Sequence, residues 1–143
     1  MKAAFQDGNW ILHKNFSVRR SASDADIAKS VLDSACKHVM RLDCTGSAVF
    51  FDGSRNFRYG VYPEYKSNRG GHAGGEHDTE VDPKDMYSCL DAIFHLFKLV
   101  RFPIYQVDKF EADDLCSAAA VHHAKASKRN FSWIVNHDKD AFQ

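Results

Sequence analysis

Apolar residues along this chain fall into short blocks separated by turn chemistry, and the spacing inside each block separates strand from helix. Ala3-Ala4-Phe5-Gln6 reads as a short strand, with Asp7-Gly8-Asn9 as the turn behind it. Ser23 is a helix cap followed by Asp24 and Asp26, after which Ile27, Val31, Leu32, Ala35, Val39 and Leu42 recur at helical spacing. Ala48-Val49-Phe50-Phe51 is a compact apolar run ended by Asp52-Gly53-Ser54, the pattern of a strand covered on both faces. Asp82 as cap, Pro83 at the first helical position and Asp85 near the positive end of the dipole open a second helix. Its buried stripe is Met86, Leu90, Ile93, Phe94 and Phe97, and Pro103 stops it. Ile104-Tyr105-Gln106-Val107 is a third strand, Glu111 to Lys125 an alanine-rich helix, and Ser132-Trp133-Ile134-Val135 a fourth strand running into Asn136-His137-Asp138.

This alternation predicts an α/β fold: a central, mainly parallel sheet with helices on both faces, joined by right-handed crossovers. In such a sheet every strand's carboxyl end lies on the same edge, where α/β proteins place their sites. Asp7 follows the first strand and Asp52 the second. Glu111, Asp113 and Asp114 follow the third, and Asp138 and Asp140 the fourth.

Composition narrows the class. The 143 residues are 44% hydrophobic and 27% charged, enough for one domain with its own core and incompatible with intrinsic disorder. Nineteen Lys and Arg balance nineteen Asp and Glu, so a polyanion would have to be met by a local patch rather than by overall charge. No apolar run reaches the length of a membrane helix, and Met1-Lys2-Ala3-Ala4-Phe5 lacks a signal-peptide core, which leads to a cytoplasmic expectation and no membrane partner. Cys36, Cys44, Cys89 and Cys116 form no Cys-x-x-Cys pair and read as free thiols; neither His72 and His77 nor His122 and His123 have zinc-site spacing.

Each acid alone has an ordinary explanation: Asp7 and Asp52 as turn residues, Glu111, Asp113 and Asp114 as caps, Asp138 and Asp140 as a solvated helix start. Their coincidence at four strand ends is harder to assign to caps. Like charges a few ångström apart repel by up to about 4 kcal/mol per pair at an intermediate dielectric, so such a cluster calls for a cation or for protons. Mg²⁺ is a hard cation suited to oxygen ligands, and two such ions about 4 Å apart suit in-line attack on a phosphodiester. Taken alone, the pattern leads to a metal-dependent phosphoryl-transfer or hydrolysis site.

A second constellation follows Asp52. In Arg55-Asn56-Phe57-Arg58 and Tyr62-Pro63-Glu64-Tyr65-Lys66-Ser67-Asn68-Arg69, cations and aromatics interleave. Guanidinium forks hold phosphates, Lys66 is a point charge for one, and a tyrosine face stacks on an unpaired base. The alternative is a solvated loop. Residues 67–81 carry four glycines and almost no apolar side chain, the composition of a mobile loop.

Phe51-Asp52-Gly53 through Phe57-Arg58 to Tyr62-Pro63-Glu64-Tyr65-Lys66-Ser67-Asn68-Arg69 resembles a signature of the 5′-nuclease family, which includes the 5′→3′ exonuclease domain of bacterial DNA polymerase I, phage 5′-exonucleases and flap endonucleases. Phe110-Glu111-Ala112-Asp113-Asp114 is similar to its acidic helix-start motif, and Ile134 through Asp140 to the next strand-end motif. Asp7-Gly8-Asn9 matches the opening Asp-Gly, although Gln6 stands where an aliphatic residue is usual. The resemblance implies a PIN-like three-layer nuclease fold over residues 1–143 and two divalent-metal sites loaded with Mg²⁺, or Mn²⁺ as substitute. Asp7, Asp52, Glu111, Asp113 and Asp114 would form or support the first site, and Asp138 and Asp140 would contribute to the second. Lys66 and Arg69 would act at the scissile phosphate, with Arg55, Arg58 and Tyr65 helping to bind DNA bearing 5′ ends, flaps or single-stranded regions. Residues 67–81 and the helix after them would correspond to the arch or clamp.

Family members continue past the equivalent of Asp140, whereas this sequence stops at Gln143. The expectation is therefore a truncated or split nuclease in a bacterial or phage-infected cell. Alternatives are a catalytically incomplete nucleic-acid-binding subunit completed by a C-terminal chain, and a compact single-metal PIN-type ribonuclease. A sheet ending at its fourth strand leaves an open edge, so association with itself or a partner is also expected.

Overall fold

The computed structural model describes residues 1–19, 21–54, 57–64 and 83–136. Arg55, Tyr65, Lys66, Arg69, Asp138, Asp140 and the loop over 67–81 lie outside the described residues, as does Asp82. The element order is β1 (Lys2–Asp7), α1 (Gly8–Val18), α2 (Asp24–Arg41), β2 (Gly46–Phe51), α3 (Arg58–Val61), α4 (Pro83–Ser88), α5 (Leu90–Leu99), β3 (Ile104–Gln106), α6 (Ala112–Ala126) and β4 (Phe131–Val135).

Among the described residues the strands form one parallel sheet in the order β3-β2-β1-β4. Alternation along β2 explains its unbroken apolar run. Val49 and Phe51 enter one core with Ile11, Leu12, Ile27, Val31, Ile93 and Phe97, supplied by α1, α2 and α5. Ala48 and Phe50 enter a second core on the other face with Ala112 and Cys116 of α6, against which Phe5, Leu115 and Ala119 pack. The chain steps outward from β1 to β2 to β3, then crosses under α6 to β4 on the far side of β1. Reversing direction while changing face preserves the right-handed crossover.

Three sequence expectations need correction. The segment after β1 is not a turn: Asp7 caps α1, its Oδ1 accepting the Trp10 N–H at 3.0 Å. Asp-Gly-Asn favours turns and helix starts for the same reason, a short acceptor close to free N–H groups. Gly8 is required there because a side chain would run into the Phe51 ring. The helix expected from Pro83 onward is two helices meeting at Cys89, whose thiol donates to the Met86 carbonyl at 3.0 Å. Arg101, in the left-handed region at φ 58°, turns the chain before Pro103 acts. Finally, β3 ends at Gln106 rather than Val107.

Gln6, the residue out of family pattern, is fully buried and fully engaged. Its Nε2 donates to the Ala35 carbonyl at 3.2 Å and to Ser47 Oγ at 2.8 Å. Ser47 Oγ in turn donates to the Ala4 carbonyl at 2.7 Å. His38 Nδ1 lies 2.8 Å from Gln6 Oε1, an atom that can only accept, so Nδ1 carries the proton. Burial, with Lys14 and Arg41 nearby, holds the His38 pKa below its ordinary value, and Trp10 stacks on the ring. The polar side chain thereby ties β1 to β2 and α2.

Candidate metal centre

Register brings the acids together. Asp7 is paired with Phe50, so the carboxyl ends of β1 and β2 lie side by side, with Asp52 just beyond β2. Asp52 reaches across to α6: its Oδ1 accepts the Ala112 N–H at 2.7 Å, while its carbonyl accepts Gln106 Nε2 at 2.7 Å. Glu111 is the N-cap of α6 and forms a reciprocal capping box with Asp114. Carboxylate oxygens of Glu111, Asp113 and Asp114 all lie within 4.8 Å of one another, with Glu111 buried and the other two half-buried.

These carboxylates do not share one environment. Asp7 is pushed up to about 6, first by burial, against which the Trp10 N–H pulls down, and then by the negative charges of Asp52 and Asp113. Asp113 is also raised, chiefly by burial, with Asp114 and Glu111 adding to it and the Asp114 N–H, 2.8 Å from its Oδ1, opposing. Asp7, Asp52 and Asp113 therefore form an electrostatically coupled group drawn from three segments. Beneath them the buried Cys116 thiol is held far above its ordinary pKa by burial and by Asp7 and Asp113, so it is an inert floor rather than a nucleophile.

The other side of the cluster meets a cation. Arg58 Nη1 and Nη2 grip Asp114 at 2.7 and 2.6 Å, and Nη1 also donates to Glu111 Oε2 at 3.2 Å. A backbone latch brings this about. Gly53 N–H donates to the Phe110 carbonyl at 2.8 Å, Lys109 N–H to Ser54 at 2.8 Å, and Phe57 N–H to Lys109 at 3.0 Å. The Phe57 and Phe110 rings pack beside it.

Of the seven acids expected at this edge, the structure gathers Asp7, Asp52, Glu111, Asp113 and Asp114; Asp138 and Asp140 lie outside the described residues. Arg58, read as a DNA contact, bonds two of the acids in the DNA-free chain. The sequence reading missed this pairing, and also Cys116 as the floor of the site. Spacing carried no sign of the first, since 53 residues or more separate the partners; an alanine-rich helix with one cysteine on its apolar face hinted at the second.

Among the described residues, a parallel sheet covered by helices on both faces, with carboxylates converging on its carboxyl edge, fits the PIN-like α/β fold. Comparison with known proteins specifies the family. The model of the 5′-3′ exonuclease N-terminal resolvase-like domain matches residues 3–143, and the chain belongs to that family. The DNA polymerase I of Chloroflexus aurantiacus is 31% identical over 98 residues, which are 68% of this chain and 9% of that protein. A 5′-3′ exonuclease of Buchnera aphidicola is 29% identical over 96 residues, 66% of this chain and 29% of that one. The fold matches the bacteriophage T5 5′-exonuclease with zinc ions bound, with a TM-score of 0.72 at 22% identity over 99% of this chain and 51% of that one. A T5 flap endonuclease in a pseudo-enzyme-product complex with DNA and metal ions gives 0.71 at 20% identity, over 99% of this chain and 50% of that one. The chain thus spans about half the length of these solved relatives and less of the curated ones. Among the described residues no helix is long and apolar enough to cross a membrane.

Proposed function

We propose that this chain carries the metal-binding half of a divalent-metal-dependent 5′→3′ exonuclease or flap-type DNA endonuclease. The observation that carries the reading is the coupling of Asp7, Asp52 and Asp113, from three separate segments, at the carboxyl edge of a sheet in this family. The donor set fits the group. Every ligand atom is a carboxylate oxygen, the choice of a hard cation such as Mg²⁺ or Mn²⁺, and mutual repulsion leaves the set short of positive charge.

On this reading Asp7, Asp52 and Asp113 hold the first ion, Glu111 and Asp114 support it, and Asp138 and Asp140 contribute to a second. Bound ions supply an activated water and stabilise the leaving oxygen of the phosphodiester. The protein's part is to hold the carboxylates in register, in surroundings that resist the charge of Asp7 and Asp113 and so favour a cation beside them. Asp7 at about 6 is charged at neutral pH and gives up its charge in mild acid. Lys66 and Arg69 hold the scissile phosphate, and Arg55 and Tyr65 the strand beside it, so DNA with 5′ ends, flaps or single-stranded stretches is the substrate class. The test is cleavage of 5′-labelled flap, duplex and single-stranded DNA with Mg²⁺ or Mn²⁺. Metal-dependent cutting that Asp113→Asn abolishes supports the reading; a wild type inert with both metals refutes a self-sufficient enzyme.

A second reading, a binding subunit completed by a C-terminal chain or by a second copy, is favoured by β4. Among the described residues that strand pairs only with β1, and Phe131, Trp133 and Ile134 on it are exposed. Sedimentation separates the cases: a monomer at micromolar concentration, active on DNA, speaks against it.

A further inference from the structure

The acids of the metal centre divide by the company they keep. Asp114 receives both prongs of the Arg58 guanidinium and, on Oδ2, the Glu111 N–H at 3.1 Å. Glu111 shares the same arginine while capping α6. Asp7, Asp52 and Asp113 each accept instead from a backbone N–H, those of Trp10, Ala112 and Asp114, and among the described residues none of them is within ion-pair distance of a cation. An arginine held two-pronged on a half-buried carboxylate is not available to a phosphate, because leaving would strand that carboxylate beside two others. The latch through Ser54, Lys109 and Phe57 sets the guanidinium there by backbone hydrogen bonds, so its position does not depend on a ligand.

We infer that Arg58 is a positioning residue of the metal centre: an internal counter-cation that keeps Asp114 out of direct coordination and leaves the ion to Asp7, Asp52 and Asp113. The inference rests on the metal-centre reading above. It withdraws Arg58 from the DNA-binding set and gives Asp114 a scaffold role, although Asp113 and Asp114 are adjacent and chemically identical.

The two roles separate in a Mn²⁺ titration of the DNA-free full chain, read by calorimetry. Arg58→Met removes one positive charge a few ångström from the ion and is expected to tighten Mn²⁺ binding about tenfold; Asp114→Asn leaves the arginine unbalanced and weakens it about tenfold. The double variant Arg58→Met/Asp114→Asn restores the charge balance and returns within about twofold of wild type. Arg58→Lys, which keeps the charge without the fork, also stays within about twofold and guards against loss of folding, checked by circular dichroism. In EDTA, the slope of log DNA affinity against log salt is expected to be the same for wild type and Arg58→Met.

A double variant as weak as Asp114→Asn would make Asp114 a direct ligand and overturn the inference. So would unchanged Mn²⁺ binding in Arg58→Met combined with a salt slope reduced by about one, the mark of a lost phosphate contact. A wild type that binds no Mn²⁺ overturns the metal reading itself, a different result from a wild type that binds and an Arg58→Met variant that binds equally.

Discussion

Gln6 and Asp7 are neighbours at the end of β1, both polar and both set into the protein, yet their surroundings are opposite. Gln6 is fully buried and every polar atom of its amide is used, by Ala35, Ser47 and His38. Asp7 has the N–H groups of Trp10 and Asn9 in its favour and the charges of Asp52 and Asp113 against it, and with burial they leave its carboxyl at about 6. One residue closes a network that fastens strand to helix; the next is held in an environment that resists its charge. Burial alone does not separate a structural polar group from a functional one. The balance of partners does.

The sharpest way to break the comparison is at the functional end. Asp113→Asn keeps the size of the side chain and removes one charge from the coupled group; if the edge is a metal centre, metal-dependent DNA cleavage falls by at least about a hundredfold, measured as single-turnover rates. Gln6→Leu tests the structural end. It installs the aliphatic residue the family pattern favours but strands Ser47, His38 and the Ala35 carbonyl, so urea unfolding is expected to show a loss of about 1–3 kcal/mol.

Asp7→Asn should act in the opposite sense on stability. The folded-state pKa of Asp7, about 6, lies above the ordinary 3.8, so the folded protein binds this proton more tightly than the unfolded chain. That contribution is complete below about pH 4 and is lost as the pH rises through 6. At pH 8 the ionised carboxylate weighs against folding, and Asn, an equally good cap, is expected to stabilise the metal-free protein there by about 1–2 kcal/mol. The gain disappears near pH 4, where the carboxyl is neutral in the folded protein. The smallest change is Lys2→Ala: its 2.8 Å bridge to Asp43 is solvent-exposed, and the unfolding midpoint should not move measurably.

Much of this layout was legible before the structure. Ser23 announced α2, and its Oγ does accept the Asp26 N–H at 3.2 Å. The unbroken apolar run of β2 predicted cover on both faces, and two separate cores provide it. The convergence of Asp7, Asp52 and the Glu111–Asp114 group followed from parallel topology alone. What escaped was either ambiguous in chemistry or distant in sequence. Asp7-Gly8-Asn9 reads equally as turn and as helix start, and the eleven residues of α1 lack a clean apolar stripe because Asn15 faces Ser30 and Ser34 of α2 rather than solvent. Arg58 beside Tyr62 reads as part of a phosphate-binding stretch; only the latch between the ends of β2 and β3 turns it onto Asp114.

The carboxyl edge, where burial and neighbouring charge raise Asp7 and Asp113, is read as a site for a divalent cation. A Mn²⁺ titration of the full chain at pH 8 and at pH 5 tests it most directly. Since the ion must displace the proton that Asp7 holds below about 6, the expected result is binding at pH 8 that weakens about tenfold at pH 5, and that Asp113→Asn removes at both. Absence of binding at pH 8, or binding indifferent to both pH and Asp113, would contradict it.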